Sequence, residues 1–153
     1  MIVSSTDVRA QLAMTRWGMC SPDEVVGWAT TKVAEGFDQE FLIEVAMLRS
    51  PSRSEVTSGL SRLLLETRVA VPSASDLADL AISQLVRRIA SREVDPVVGA
   101  RRIRQITLDL RSVNDNVMQF IGMLSEWEDD NEHRDEYASA VLQAARVYVH
   151  PPL

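Results

Sequence analysis

SPDEVVGWATTKVAEG, residues 21–36, carries a complete set of helix signals. Ser21 stands where a hydroxyl can accept from the first free backbone N–H groups, Pro22 takes the first helical position, and Glu24 completes a capping box. Gly36 then stands where a left-handed residue ends a helix. This grammar of cap, apolar repeat and stop decides the fold, because it recurs along most of the chain.

Asp38 is expected to cap a short helix with Phe41, Leu42, Val45 and Leu48 on its apolar side. Ser52 with Glu55 forms a second capping box, ahead of Val56, Leu60, Leu63, Leu64, Thr67 and Val71 at helical spacing. From Asp76 onward, Ala78, Ala81, Ile82, Leu85, Val86 and Ile89 share one side, with Asp79, Gln84, Arg87 and Arg88 opposite. Asp95–Pro96 caps and opens a helix carrying Gly99, Ile103, Ile106 and Leu110. Val113, Val117, Phe120, Ile121, Leu124 and Trp127 mark the next helix. Tyr137, Val141, Leu142, Ala145 and Tyr148 mark the last, before Pro151 and Pro152.

No segment alternates at period two beside Asn-Gly or Asp-Gly turns, so strands are not expected. The pattern predicts an all-α fold: one domain over residues 1–153, a bundle of seven or eight short amphipathic helices. KVAEGFDQEFLIEVA and RIASREVDPVVGARRI echo each other, each ending one helix and opening the next through an Asp cap. The echo raises a duplicated helical hairpin as one form of the fold, although any helix pair shares these features.

Composition narrows the class. The net charge of −6 and pI near 4.9 suit a soluble protein and disfavour a dedicated nucleic-acid binder. Lys32 is the only lysine among 16 basic residues, a bias read as GC-rich, bacterial coding. Cys20 is alone, so no internal disulfide or CxxC pair can form, and a reducing cytoplasm fits best. The first residues, MIVSSTDVRAQLAMTRWG, lack the order of a secretory signal, and no stretch has the roughly 18 apolar residues of a membrane span. A cytoplasmic protein without a membrane segment is expected.

The glycines at 18, 27, 36, 59, 99 and 122 are too scattered for a phosphate-cradling loop, and neither HExxH nor GxSxG occurs. His133 and His150 lie at opposite ends of the last helix, roughly 25 Å apart at about 1.5 Å per residue, too far to share a metal. No cofactor, no metal site and no catalytic residue are therefore expected.

Charge is concentrated in SEWEDDNEHRDEY, residues 125–137, which holds seven carboxylates. Asp129, Asp130 and Asn131 are capping residues, and Asp129 with Glu132 forms a candidate capping box. Glu132, Asp135 and Glu136 would then sit in the first turns, each gaining about 0.3–1 kcal/mol from the helix dipole. Glu126 and Glu128 have no such reason, since they close the preceding helix at its negative end. His133 with Asp129, and Glu132 with Glu136, offer an oxygen-rich set that would suit Mg²⁺, Mn²⁺ or Ca²⁺, but all from one exposed stretch. Trp127, set among the acids, is a candidate anchor for a basic partner, while Trp17 and Trp28 read as packing residues.

The opposite charge gathers in residues 87–111, with seven arginines against three acids around a helix–turn–helix pattern. Arg101, Arg102 and Arg104 fall mid-helix, whereas Val97 and Val98 follow the cap where a DNA-reading helix places polar groups. Pairing with carboxylates on neighbouring helices is the simpler role.

The functional expectation is a non-enzymatic protein-binding module whose acidic surface engages a basic protein partner through Glu126, Trp127, Glu128, Asp129 and Asp130. One version is a bacterial immunity-type protein that neutralises a cationic toxin. The alternatives are helix-turn-helix DNA binding and an enzyme whose acids come from separate helices.

Overall fold

The structure, a computed structural model, describes residues 1–110 and 115–150. Among them eight α-helices follow one another without a strand. They are α1 (Ser5–Arg16), α2 (Pro22–Ala34), α3 (Glu40–Ala46), α4 (Arg53–Glu66), α5 (Ala74–Ala90), α6 (Pro96–Leu110), α7 (Asp115–Asp129) and α8 (Arg134–Val149). A short 3₁₀ turn, Asn131–His133, stands between α7 and α8. The all-α expectation holds. Contacts divide the chain into two compact units, Met1–Ala81 and Ile82–Leu153, with the division falling inside α5.

In the first unit α4 is the hub, packing against α1, α2 and α3. Its Val56, Leu60, Leu63 and Leu64 recur every three or four residues and are fully buried. Gly59 lets α3 approach, because a Cβ there would meet Val45 Cγ2 at 2.6 Å. Both expected capping boxes form: Ser21 Oγ accepts from Glu24 N while Glu24 Oε2 accepts from Ser21 N, and Ser52 with Glu55 repeats the exchange. The α1 helix had no comparable sequence signal. Ser4 makes no side-chain cap bond, and among its buried residues Val8, Leu12, Ala13, Met14 and Thr15 the small and polar members blur the apolar stripe.

The start of α3 departs from expectation. Asp38 is not its cap; Gln39 is, and it contributes no side-chain cap bond. Instead the Glu66 carboxylate, at the end of α4, accepts from Glu40 N at 3.0 Å and Phe41 N at 3.3 Å. A cap supplied from another helix leaves no local spacing to read. Gln39 turns the other way, its Oε1 accepting from Val3 N at 2.6 Å. Glu66→Gln keeps the shape but weakens two charge-assisted bonds, and should cost about 0.5–2 kcal/mol in urea unfolding.

Other boundaries shift for similar reasons. Thr67 and Val71 lie beyond α4, which ends at Glu66, and Val71 is 42% exposed. The α5 helix opens two residues before Asp76, with Ser73 Oγ accepting from Asp76 N at 3.1 Å. Its expected apolar set, Ala78 through Ile89, is buried as read.

Four helices end in the same left-handed hook, in which the residue after the turn donates back to a carbonyl five positions earlier: Met19 to Met14, Phe37 to Lys32, Val69 to Leu64 and Glu93 to Arg88. Gly18 and Gly36 supply the positive φ in the first two, but Arg68 (φ 60°) and Arg92 (φ 63°) do so in the others. A side chain in this conformation costs about 1–2 kcal/mol, against roughly 0.5–1 kcal/mol for glycine's extra chain entropy. Arg68→Gly should therefore raise stability by about 0.5–1 kcal/mol in chemical denaturation, the difference between those costs.

In the second unit α6, α7 and α8 pack against one another around the fully buried Phe120, Ile103, Ile106 and Leu124. Asp95 caps α6 as expected, its Oδ2 accepting from Val97 N and Val98 N at 3.0 and 3.1 Å. Gly99 permits close approach to α5, since a Cβ there would meet Ile89 Cδ1 and Cγ1 at 2.5 Å. The Asp cap at residue 95 and the absent one at residue 38 remove a feature that supported the duplicated hairpin. Val113, Pro151 and Pro152 lie outside the described residues.

Candidate functional site

The acidic stretch occupies the last turns of α7, the 3₁₀ turn and the first turns of α8, all within the second unit. Its geometry separates the carboxylates into two groups.

One group is braced by the chain's own cations. Arg104 on α6 holds Glu128 with a two-pronged pair, Nη1 to Oε2 and Nη2 to Oε1, both at 3.1 Å. Both side chains are about one-third exposed, so solvent screens the pair and it fixes register more than stability. The guanidinium's hydrogen bonds hold the Glu128 carboxyl below its ordinary range against a smaller desolvation effect, with the charges of Arg104 and Arg101 adding to them. The charge that looked misplaced at the negative end of α7 thus has a counter-charge from the neighbouring helix.

Trp127 is held in the same way. Arg134 lies 4.2 Å from its ring centroid and Arg101 lies 5.3 Å from it. Each contact is worth about 0.5–1 kcal/mol at an exposed site. Arg134 Nε also donates to the Trp127 carbonyl at 3.2 Å, placing a cation at the carboxyl end of α7 as the dipole favours. The indole is half-buried between its own arginines. That arrangement fits a brace better than an anchor ready to insert into a partner.

Asp130 is the centre of the turn. It, and not Asp129, is the cap: α7 runs through Asp129, and Asp130 Oδ1 accepts from Glu132 N at 3.1 Å. Asp129 with Glu132 forms no capping box, because the turn begins one residue later than the sequence suggested. Asp130 Oδ2 meets His133 Nδ1 at 2.7 Å and accepts from Tyr137 Oη at 3.4 Å. The His133 bond holds the Asp130 carboxyl below its ordinary value, and Asp130 in turn raises the His133 imidazole. Tyr137 is raised by desolvation first, then by the charges of Asp130 and Glu126.

These shifts set a pH window. Asp130's contribution is present above its ordinary pKa of 3.8 and is lost as pH falls through its lower folded value. His133's contribution is present below its ordinary 6.5 and is lost as pH rises through its higher folded value. The pair therefore stabilises most between those ordinary values. The melting temperature should decline as pH rises from about 6 to about 8, and the decline should be shallower in His133→Gln.

The second group is Glu126, Asp129, Glu132, Asp135 and Glu136. All five are exposed, and none makes an ion pair among the described residues. His133 bonds Asp130 and not Asp129, so the expected His133–Asp129 ligand pair does not form. Among the described residues no three His, Cys, Asp or Glu side chains gather where they could hold a metal ion.

The arginine cluster is similarly divided. Arg101 and Arg104 are committed to α7, whereas Arg87, Arg92 and Arg102 are exposed and make no ion pair among the described residues. Val97 is buried behind the Asp95 cap and Val98 is 44% exposed, so the start of α6 presents valine where a base-reading helix presents polar groups. Arg111 lies outside the described residues. Within the described residues no helix is long and apolar enough to cross a membrane. No protein-family model, curated protein or solved structure matches the chain.

Proposed function

We propose that the protein is a non-enzymatic binding module whose acidic turn between α7 and α8 engages a basic protein partner, an immunity-type protein being one form this takes. The observation that supports the reading is the division among the acids. Glu128 and Asp130 brace the turn, leaving Glu126, Asp129, Glu132, Asp135 and Glu136 exposed at one end of the hairpin, with no ion pair among the described residues although the charge of Glu136 reaches His133. Like charges crowded on a rigid support raise the local potential, which steers a cationic surface and makes its association salt-sensitive. Trp127, Glu128 and Asp130 act here as the support, and Glu126 and Asp129 as the contact.

The test replaces Glu126, Asp129, Glu132 and Glu136 with their amides. Chemical cross-linking in the native host, followed by mass spectrometry, compares this variant with the wild type. A basic protein captured by the wild type should be lost from the variant, and its association rate should fall several-fold at about 50 mM salt, where screening is weak. Equal capture and equal rates with both proteins would reject the reading.

A further inference from the structure

A cleft of about 530 Å³ lies in the first unit, where α1 and the first turns of α4 meet Val71, Pro72 and the start of α5. Two arginines stand at one end of it. Arg16 is the last residue of α1 and Arg53 the first of α4. Arg53 Nη2 lies 3.4 Å from where a Cβ on Gly18 would sit, so its guanidinium reaches the end of α1, two residues beyond Arg16. Like charges brought to one place repel unless an anion answers them. No acidic side chain lines the cleft, and neither arginine makes an ion pair among the described residues. Arg16 stacks one face 5.1 Å from the Trp17 ring centroid, which leaves the N–H groups in its plane free to point elsewhere. Both arginines are exposed, so a ligand in the cleft reaches their donors.

The remaining lining bears no charge. Thr57 and Ser61 follow Arg53 at one and two turns along the same face of α4, a run of about 12 Å at about 1.5 Å per residue. Their hydroxyl protons are turned to the backbone: Thr57 Oγ1 donates to the Arg53 carbonyl at 3.0 Å, and Ser61 Oγ to the Thr57 carbonyl at 2.8 Å. What they offer the cleft is lone pairs, which repel a second anionic group. Leu12 and Leu77, both buried, form the floor, while Pro72 and Val71, the latter 42% exposed, form an apolar side. We infer that the cleft binds a small amphipathic anion, a carboxylate or phosphate monoester on an aliphatic chain of about eight carbons, the length an extended chain needs to span two turns of α4. The head accepts from Arg16 and Arg53, and the chain lies over Leu12, Leu77, Val71 and Pro72. The volume falls in the usual range for small-molecule sites, about 300–1,000 Å³.

The experiment is a nitrogen–proton NMR titration of the full chain with octanoate and with octyl phosphate. It is repeated with octan-1-ol and octylammonium, which keep the chain, and with acetate, which keeps the charge. At least one of the two octyl anions should give saturable shifts at the amides of Arg16, Arg53, Thr57, Ser61, Val71 and Leu77, and the tighter of the two identifies the head group. The alcohol, the ammonium and acetate should each bind at least about tenfold more weakly, as should the better anion to the Arg16→Gln, Arg53→Gln variant. The wild-type titrations decide the matter if that variant fails to fold. Absence of saturable shifts with both octyl anions, to about 3 mM, would overturn the proposal. So would octan-1-ol, octylammonium or acetate binding as well as the anions, or a folded double variant that binds undiminished.

Discussion

Phe120→Ala should lower the unfolding free energy by about 3–5 kcal/mol, the cost of removing a buried aromatic side chain and leaving its space unfilled. Among the described residues Phe120 is the largest of the fully buried side chains, on the face of α7 that packs toward α6 and α8. Against a typical stability of about 5–15 kcal/mol, that loss is a large fraction of the total. Urea unfolding followed by far-ultraviolet circular dichroism measures it. Phe120→Leu, which retains most of the volume, should cost much less. A loss below about 1 kcal/mol for the alanine variant would mean that Phe120 does not pack as described.

The second large effect is a contrast between neighbours. Leu64 is fully buried on α4, whereas Leu65 is 61% exposed. Leu64→Ala should cost about 2–5 kcal/mol, and Leu65→Ala should stay within about 0.5 kcal/mol of the wild type. The two substitutions have identical chemistry and almost identical sequence position, so only the direction in which each side chain points separates them. Equal losses would contradict the assigned face of α4, and with it the place of that helix at the centre of the first unit.

The same facing explains how much of the fold could be read from residue order. Ser21, Pro22, Glu24 and Gly36 act on backbone groups within four positions of themselves, and the structure places them as their spacing implies. The apolar set from Ala78 to Ile89 was legible because burial on one side of a helix leaves a period of three to four. The signals that escaped notice were nonlocal or chemically unusual. Glu66 caps α3 from 26 residues away along the chain. Arg68 and Arg92 occupy the left-handed position where glycine would have announced a stop. The α1 helix buries alanine, methionine and threonine beside its two large aliphatic residues, so its stripe was faint.

At the acidic turn the composition was visible and the pairing was not. Residue order showed seven carboxylates in thirteen positions, together with a surplus at the negative end of α7. It could not show that Arg104, 24 residues earlier, is brought opposite Glu128, or that Arg101 and Arg134 both approach the Trp127 ring. Those contacts depend on the packing of α6 and α8 against α7. They change the roles within the stretch: Trp127, Glu128 and Asp130 hold the turn, while Glu126 and Asp129 remain on its surface.

The division of the acids into braced and unbraced groups is the claim on which the binding proposal stands. A residue-resolved NMR pH titration of side-chain carboxyl carbons and imidazole protons tests it most directly. Glu128 should titrate below the ordinary 4.5 and Asp130 below 3.8, with His133 above 6.5 and its curve sensitive to Asp130→Asn. If all three titrate at their ordinary values, Arg104 and His133 do not hold these carboxylates, and the turn is a loose acidic loop with no fixed surface to offer.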